Sequence, residues 1–208
     1  MLYLQLDVPL MRFADPTQTM FRASLKFVPV STAYGCMLSA VGEFDTTRHY
    51  GVRMSTGFLV TPTPSLRLRT INRFKTPQSP YAEGPNKAPA KEEVLTGGVV
   101  IVAVDSRGET SSPTLEDRLR AMLLGEPVKR TGLWSLGESE FAIRQCKEVR
   151  SPMWAKMLSV DTKGEISTPV VVKYTQQNLC SYAVVKSIST DSIEYDNMIP
   201  VVDLHHDT

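Results

Sequence analysis

Arg12–Phe44, RFADPTQTMFRASLKFVPVSTAYGCMLSAVGEF, decides the reading of the fold. Met1–Val8 stands directly before it and alternates, with Leu2, Leu4 and Leu6 on one side and Tyr3, Gln5 and Asp7 on the other, the pattern of a half-buried strand. A loop to Pro29 follows, carrying Arg22 and Lys26 and free of acidic residues from Pro16 to Gly42. Ser31 or Thr32 then caps a helix whose apolar positions are Ala33, Met37, Ala40, Val41 and Phe44, with Gly42 at its C-terminal stop. The segment opens a first β-α unit with a basic loop at its mouth.

Outward from there, Tyr50–Val60 reads as a second strand. Thr61–Gly98 is punctuated by Pro62, Pro64, Pro77, Pro80, Pro85 and Pro89, and inside it Ser65–Phe74 alternates as a strand while Pro77–Pro89 reads as a long tip. Val99–Val104 (VVIVAV) is a continuous apolar run, the mark of a strand buried on both faces. Ser112–Pro113 opens a second helix with Leu115, Leu119, Met122 and Leu123 on one side and Gly125 as its stop. Phe141–Val149 reads as the next strand. The order is βαββαβ with an insertion after the second strand, which predicts an α+β, ferredoxin-like (RRM-like) core over residues 1–150 with a protruding basic hairpin at about 61–98. Residues 151–208 read as a small β-rich extension, best at Val170–Tyr174 and Tyr182–Ile188.

Composition and charge narrow the function. The net charge of +1 hides an asymmetry, since no Asp or Glu occurs from Thr46 to Ala82 while Arg48, Arg53, Arg67, Arg69, Arg73 and Lys75 do. The chain ends acidic, with Asp191, Glu194, Asp196, Asp203 and Asp207. A local basic face of this kind fits phosphate contacts, and Phe21, Phe27, Tyr34, Tyr50, Phe74 and Tyr81 lie among the cations as candidates for base stacking. The alternative is a merely solvated basic strand pair. VVIVAV offers no aromatic side chain, so an aromatic sheet face of the RNA-recognition type is excluded, and any RNA contact falls to loops and the arm. Cys36, Cys146 and Cys180 form no CxxC pair, and Cys36 reads as a small core residue; a reducing cytoplasm is the simple expectation. No metal motif, phosphate-binding loop or nucleophile elbow occurs, so no cofactor and no metal are expected. No apolar run is long enough to span a membrane, so no membrane partner is expected.

Four blocks resemble a known family when taken in order: LYLQLDVPLMRF with FRASLKFVPVSTAYGCMLSAVG; the basic arm before KEEVLTGGVVIVAVDSR; the helix TLEDRLRAMLLGE; and GLWSLGESEFAI. Together, over about residues 1–150, they resemble the CRISPR-associated Cas-five family in its DevS-like form, within the RAMP superfamily. The resemblance implies a non-catalytic foot subunit of a type I (type I-B-like) Cascade surveillance complex that holds the 5′ handle of the guide crRNA. It further implies contacts to the backbone subunit (Cas-seven family) and the large subunit (Cas-eight family), with target DNA read by guide pairing in the assembled complex. The complex would serve defence or RNA-guided transposition. The thumb of such proteins corresponds to about Thr61–Gly98, and the handle-binding loop to Met11–Val30 with the helix start Ser31–Tyr34.

The expected RNA-contacting residues are Arg12, Arg22, Lys26, Ser31, Thr32, Tyr34, Arg48, Arg53, Arg67, Arg69, Arg73, Phe74, Lys75, Gly132 and Gly137. Ser31 and Thr32 act either as a helix cap or beside backbone N–H groups that receive a phosphate. Gly132 and Gly137 either admit RNA close to the backbone or form tight turns. Phe74 and Tyr81 compete as the residue wedged at the handle–spacer junction. Some family members cut the guide precursor, which needs a base for the 2′-hydroxyl. Only His49, with Tyr50, suits that role here, against a plain strand-edge histidine. An unrelated ferredoxin-like enzyme is the remaining alternative.

Overall fold

The computed structural model describes residues 1–15, 22–72, 87–130, 132–173 and 179–201. The expected tip, with Arg73, Phe74, Lys75 and Tyr81, and the acidic C-terminus after Val201 lie outside the described residues. The first part of the chain runs β1 (Leu2–Met11), α1 (Val30–Ala40), β2 (Arg53–Val60), β3 (Thr63–Asn72), β4 (Lys87–Asp105), α2 (Leu115–Leu123) and β5 (Gln145–Val149). The second part adds β6 (Ala155–Val160), β7 (Ile166–Lys173), β8 (Leu179–Thr190), a short 3₁₀ turn at Tyr195–Asn197 and β9 (Ile199–Pro200).

Strand order across the sheet is β5-β1-β4-β2-β6-β8-β7, with β3 on β4 and β9 on β2, and every pairing is antiparallel. The chain crosses from β1 through α1 to β2 and leaves a gap that β4 fills; it then crosses from β4 through α2 to β5, flanking β1. Two β-α-β units are thereby interleaved in an α+β arrangement of mostly antiparallel sheet and two helices. The strands after residue 151 continue the same sheet, because β6 pairs with β2 at Gly57↔Met157 and Phe58↔Lys156.

Alternation explains the core. Leu2, Leu4, Leu6 and Val8 on β1, with Val100, Val102 and Val104 on β4, are wholly buried against Ala33, Met37 and Ala40 of α1 and Leu115 and Leu119 of α2. Each such aliphatic side chain contributes about 1.5–3 kcal/mol. The intervening Ile101 and Ala103 pack on the opposite face with Met157, Ile193 and Met198. VVIVAV is apolar throughout because β4 is covered on both sides.

Several boundaries differ from expectation. Pro29 is the N-cap of α1 and makes no side-chain cap bond, so Ser31 and Thr32 lie inside the first turn. The C-terminal stop is as expected: Gly42 has φ +66°, the Glu43 N–H reaches Leu38 O at 2.9 Å and the Gly42 N–H reaches Ser39 O at 3.2 Å, a Schellman closure. Phe44 is past that stop and 75% exposed. In α2 the cap is Thr114, which accepts from the Asp117 N–H while Asp117 bonds back to Thr114, so Pro113 precedes the helix. β2 begins at Arg53, leaving His49 and Tyr50 in a turn. β5 begins at Gln145, and Phe141 belongs to the loop before it. β4 runs unbroken from Lys87 through Pro89 to Asp105, so the returning arm of the hairpin and the central core strand are one strand.

Candidate nucleic-acid interface

β3 and the outer half of β4 form a hairpin of ten paired positions, from Thr63↔Thr96 to Asn72↔Lys87. Period-two alternation sends Leu66 (58% exposed) and Leu68 (69% exposed) to one side and Arg67 and Arg69 to the other. Register places Glu92 directly opposite Arg67. Glu92 is wholly buried and takes Arg67 Nη2 at 2.6 Å, Arg22 Nη1 at 3.0 Å and Arg69 Nε at 3.3 Å.

A second source of carboxylate comes from the loop before β5. Trp134 pins that loop to α1 by donating its Nε1–H to Cys36 O at 3.0 Å, and the Ile143 N–H returns to Trp134 O at 2.9 Å. Inside it the Phe141 N–H closes a turn on Glu138 O at 3.0 Å. Gly137 has φ +91°, and a Cβ there would stand 2.4 Å from the Arg12 carbonyl oxygen, so the loop packs backbone to backbone on β1's end. The turn presents Glu138 to Arg12 and, at 3.3 Å, to Arg67 Nη2. Glu140 meets Arg67 Nη1 at 2.7 Å and Arg69 Nη1 at 3.4 Å. The Arg67 guanidinium also lies 5.1 Å over the Phe141 ring.

Four guanidiniums, of Arg12, Arg22, Arg67 and Arg69, thus surround three carboxylates, of Glu92, Glu138 and Glu140, with one positive charge in surplus. The Nε–H groups of Arg12 and Arg67 are buried without an acceptor among the described residues. Burial of Glu92 opposes its charge, yet Arg67 and Arg69 hold its carboxyl below the ordinary range. The hydrogen bond from Arg67 likewise lowers Glu140. Burial of Arg67 works against its charge, and the bonds to Glu92 and Glu140 outweigh it, keeping the guanidinium protonated. Lys26 joins from the side on Glu93 at 2.5 Å.

The other expected residues scatter. Ser31 and Thr32 are half-buried in the first turn of α1, where no acidic residue stands. Thr32 borders a groove of about 410 Å³ shared with Phe13, Pro29 and Tyr182. Tyr34 is buried and donates to Thr46 O at 3.0 Å, a structural contact. Arg48 pairs with Glu43 at 2.8 Å beyond the C-terminal end of α1. Arg53 lies 4.5 Å over the Tyr195 ring and donates to its carbonyl at 3.2 Å. Gly132 has φ +80° with open space around it.

His49 is fully buried, away from any strand edge. Its Nδ1 is 2.5 Å from Glu109 Oε1 and 3.1 Å from Ser111 Oγ, and Arg118 Nη1 stands 3.1 Å from Nε2. Because Arg118 can only donate, Nε2 is the acceptor and Nδ1 carries the proton. Glu109 also accepts the Leu115 N–H at 3.0 Å, tying the histidine to the start of α2. A side chain sealed this way does not reach an RNA hydroxyl. Cys36 is buried, and burial pushes its thiol up to about 12. Among the described residues no cluster of His, Cys, Asp and Glu is placed to hold a metal, and no helix is long and apolar enough to cross a membrane.

Sequence reasoning assembles the arginines but misses Glu92, Glu138 and Glu140. Hairpin register is the signal that finds Glu92; nothing local in GLWSLGESEFAI places its two glutamates beside β3.

No family model matches the chain. The CRISPR-associated protein Cas5 of Myxococcus xanthus (strain DK1622) is 37% identical over 151 residues, which is 70% of this chain and 71% of that protein. Among solved structures, a CRISPR RNA-guided surveillance complex aligns with TM-score 0.63 at 14% identity, covering 92% of this chain and 90% of its own. A crystal structure of a Cas protein aligns with TM-score 0.51 at 11% identity, covering 90% and 93%. At those identities the structural likeness speaks for the fold, whereas the sequence match spans most of both proteins, and on that match the chain belongs to the CRISPR-associated Cas5 family.

Proposed function

We propose that this chain is a non-catalytic subunit of a type I Cascade complex that grips the 5′ handle of the guide crRNA and caps the complex at its foot. The observation that carries this reading is the arginine-lined base of the β3–β4 hairpin, where Arg12, Arg22, Arg67 and Arg69 converge with one positive charge in surplus. Guanidiniums so gathered suit the bidentate recognition of RNA phosphates. The strand order β5-β1-β4-β2, with a helix in each crossover, is the order of a ferredoxin-like core, and we infer that architecture with the hairpin as its thumb. The relatives' names support membership of a surveillance complex, and neighbours of the Cas-seven and Cas-eight families are the expected contacts. The sealed position of His49 argues against its serving as a general base.

The test is co-expression with a CRISPR repeat RNA and the neighbouring subunits, purification, and sequencing of bound RNA with its end chemistry. Intact guide whose 5′ handle is protected by this chain is the expected result. Repeat RNA cut by this chain alone to a 2′,3′-cyclic phosphate, with cutting abolished in His49→Ala, establishes an endoribonuclease instead. Purification free of RNA overturns the RNA-binding reading.

A further inference from the structure

The expected phosphate ligands are already occupied. No acid lies near Arg67 and Arg69 in sequence, which leaves them as cations open to RNA, yet in space both point at carboxylates. Those carboxylates are unequal. Glu92 is wholly buried and fixed by strand register, and Glu138 is held by Arg12 beneath the Gly137 turn. Glu140 has a side chain 48% exposed, and a single one of its oxygens, Oε1, takes Nη1 of both Arg67 and Arg69 at 2.7 and 3.4 Å. Two guanidiniums converging on one half-exposed oxygen is the geometry they would adopt on a phosphate oxygen.

We propose that Glu140 is a built-in stand-in for an RNA phosphate, occupying Arg67 and Arg69 in the free chain and yielding them when the guide RNA enters. The inference rests on the RNA-binding reading above and adds its regulation. The exchange is electrostatically feasible. The cluster keeps one surplus positive charge with Glu140 in place, and a singly charged phosphodiester replacing it leaves that surplus unchanged. A phosphodiester brings two non-bridging oxygens on a tetrahedral centre, as many acceptors as the carboxylate, to a site where the Arg67 Nε–H has no acceptor among the described residues. The loop backbone need not move, because Trp134, Gly137 and Glu138 anchor it before Glu140 and the Phe141 and Ile143 N–H bonds anchor it after, leaving only a side-chain rotation to free the Glu140 carboxylate. The device makes binding selective, since an isolated anion meets a competitor already in place while a long RNA displaces it with the help of its other contacts.

The test measures RNA affinity of the full chain with two fluorescent probes, a repeat-derived handle RNA and an oligouridylate dodecamer. Glu140→Gln keeps the shape and removes the charge, and it is expected to tighten both about threefold to tenfold, the oligouridylate more. Glu148→Gln, on an exposed β5 carboxylate paired with Arg120 at 3.7 Å and outside the hairpin cluster, gauges the effect of losing a negative charge elsewhere and is expected to change affinity less than twofold. In an Arg67→Ala, Arg69→Ala background the Glu140→Gln gain should vanish, because the carboxylate then has nothing to mask. No gain, a gain equal to that of Glu148→Gln, or a gain that survives removal of the arginines each overturns the proposal while leaving RNA binding standing. Absence of binding by every variant overturns both readings. Thermal unfolding of every variant, the Arg67→Ala, Arg69→Ala background included, confirms that the compared chains are folded.

Discussion

Two glutamate-centred clusters stand at different places in this chain, and they are built for different work. The side chains of Glu109 and His49 are both wholly buried, and Ser111, Arg118 and the Leu115 N–H bond to them. The hairpin cluster has more guanidiniums than carboxylates, ends in a half-exposed Glu140 and leaves two guanidinium N–H groups unmatched among the described residues. A closed network holds structure. An open one has charge and donors to spare. The difference teaches that a histidine of catalytic type is here sealed among buried partners, whereas arginines already in ion pairs keep N–H groups without an acceptor among the described residues.

The largest expected effect breaks the closed network. Glu109→Ala strands the Leu115 N–H in the interior, leaves the His49 Nδ1–H only Ser111 Oγ at 3.1 Å, and should cost about 3 kcal/mol. In a chain of this size that lowers Tm by roughly 6–12 °C, read by thermal unfolding. RNA affinity of the folded fraction should stay unchanged, and weaker affinity at undiminished stability would erase the distinction between the clusters.

Next comes the open network. Arg67, Arg69, Arg73 and Lys75 changed together to Ala should weaken guide binding at least tenfold and flatten the salt dependence by about one unit of log–log slope for each phosphate no longer neutralised. Stability should fall as well, because the wholly buried Glu92 keeps only Arg22 as a partner, so affinity is compared on chains shown to be folded by thermal unfolding. Affinity and slope both unmoved would remove the hairpin from the RNA interface.

Acid sharpens the contrast. Burial works to raise Glu109, but the bonds from His49, Ser106 and Ser111 prevail and hold its carboxyl below the free value of 4.5. A folded-state value depressed in this way adds stability that is complete above about pH 4.5 and is lost as pH falls through the lower folded value. Wild type should therefore lose stability more steeply below that point than Glu109→Gln, which has no carboxyl to titrate there. Equal slopes in a pH series of denaturant melts would assign acid sensitivity elsewhere. The smallest effect is local: Thr114→Ala removes the capping box of α2 and should cost about 1 kcal/mol with no change in RNA binding.

The alternation of Leu2, Leu4 and Leu6, the two-sided burial of VVIVAV and the Gly42 stop are legible in the sequence because each depends on near neighbours along the chain. Strand β6 is not legible, since AKMLSV has its partners in β2 and β8, far along the chain. The caps differ for a similar reason. Pro29 starts α1, and the Val30 N–H finds Thr168 Oγ1 at 3.4 Å rather than a local side chain. Charge is the least legible property. A run without acids in sequence is acid-rich in space, because Glu92 arrives by register and Glu140 by a loop more than seventy positions away from Arg67.

The nineteen-residue β4 is a cantilever. Its inner length is clamped on both edges, to β1 from Leu95 to Val104 and to β2 from Val99 to Asp105, while the outer length is held along β3 and, at Glu92 and Glu93, by a short bridge to Arg22. A load on the tip becomes a bending moment at the step between clamp and arm. Gly97 sits at that step in the left-handed region (φ +70°) with no atom close to where a Cβ would stand. Whatever seats against the arm is felt there first, and the arm turns about that glycine or carries the central strand of the core along with it.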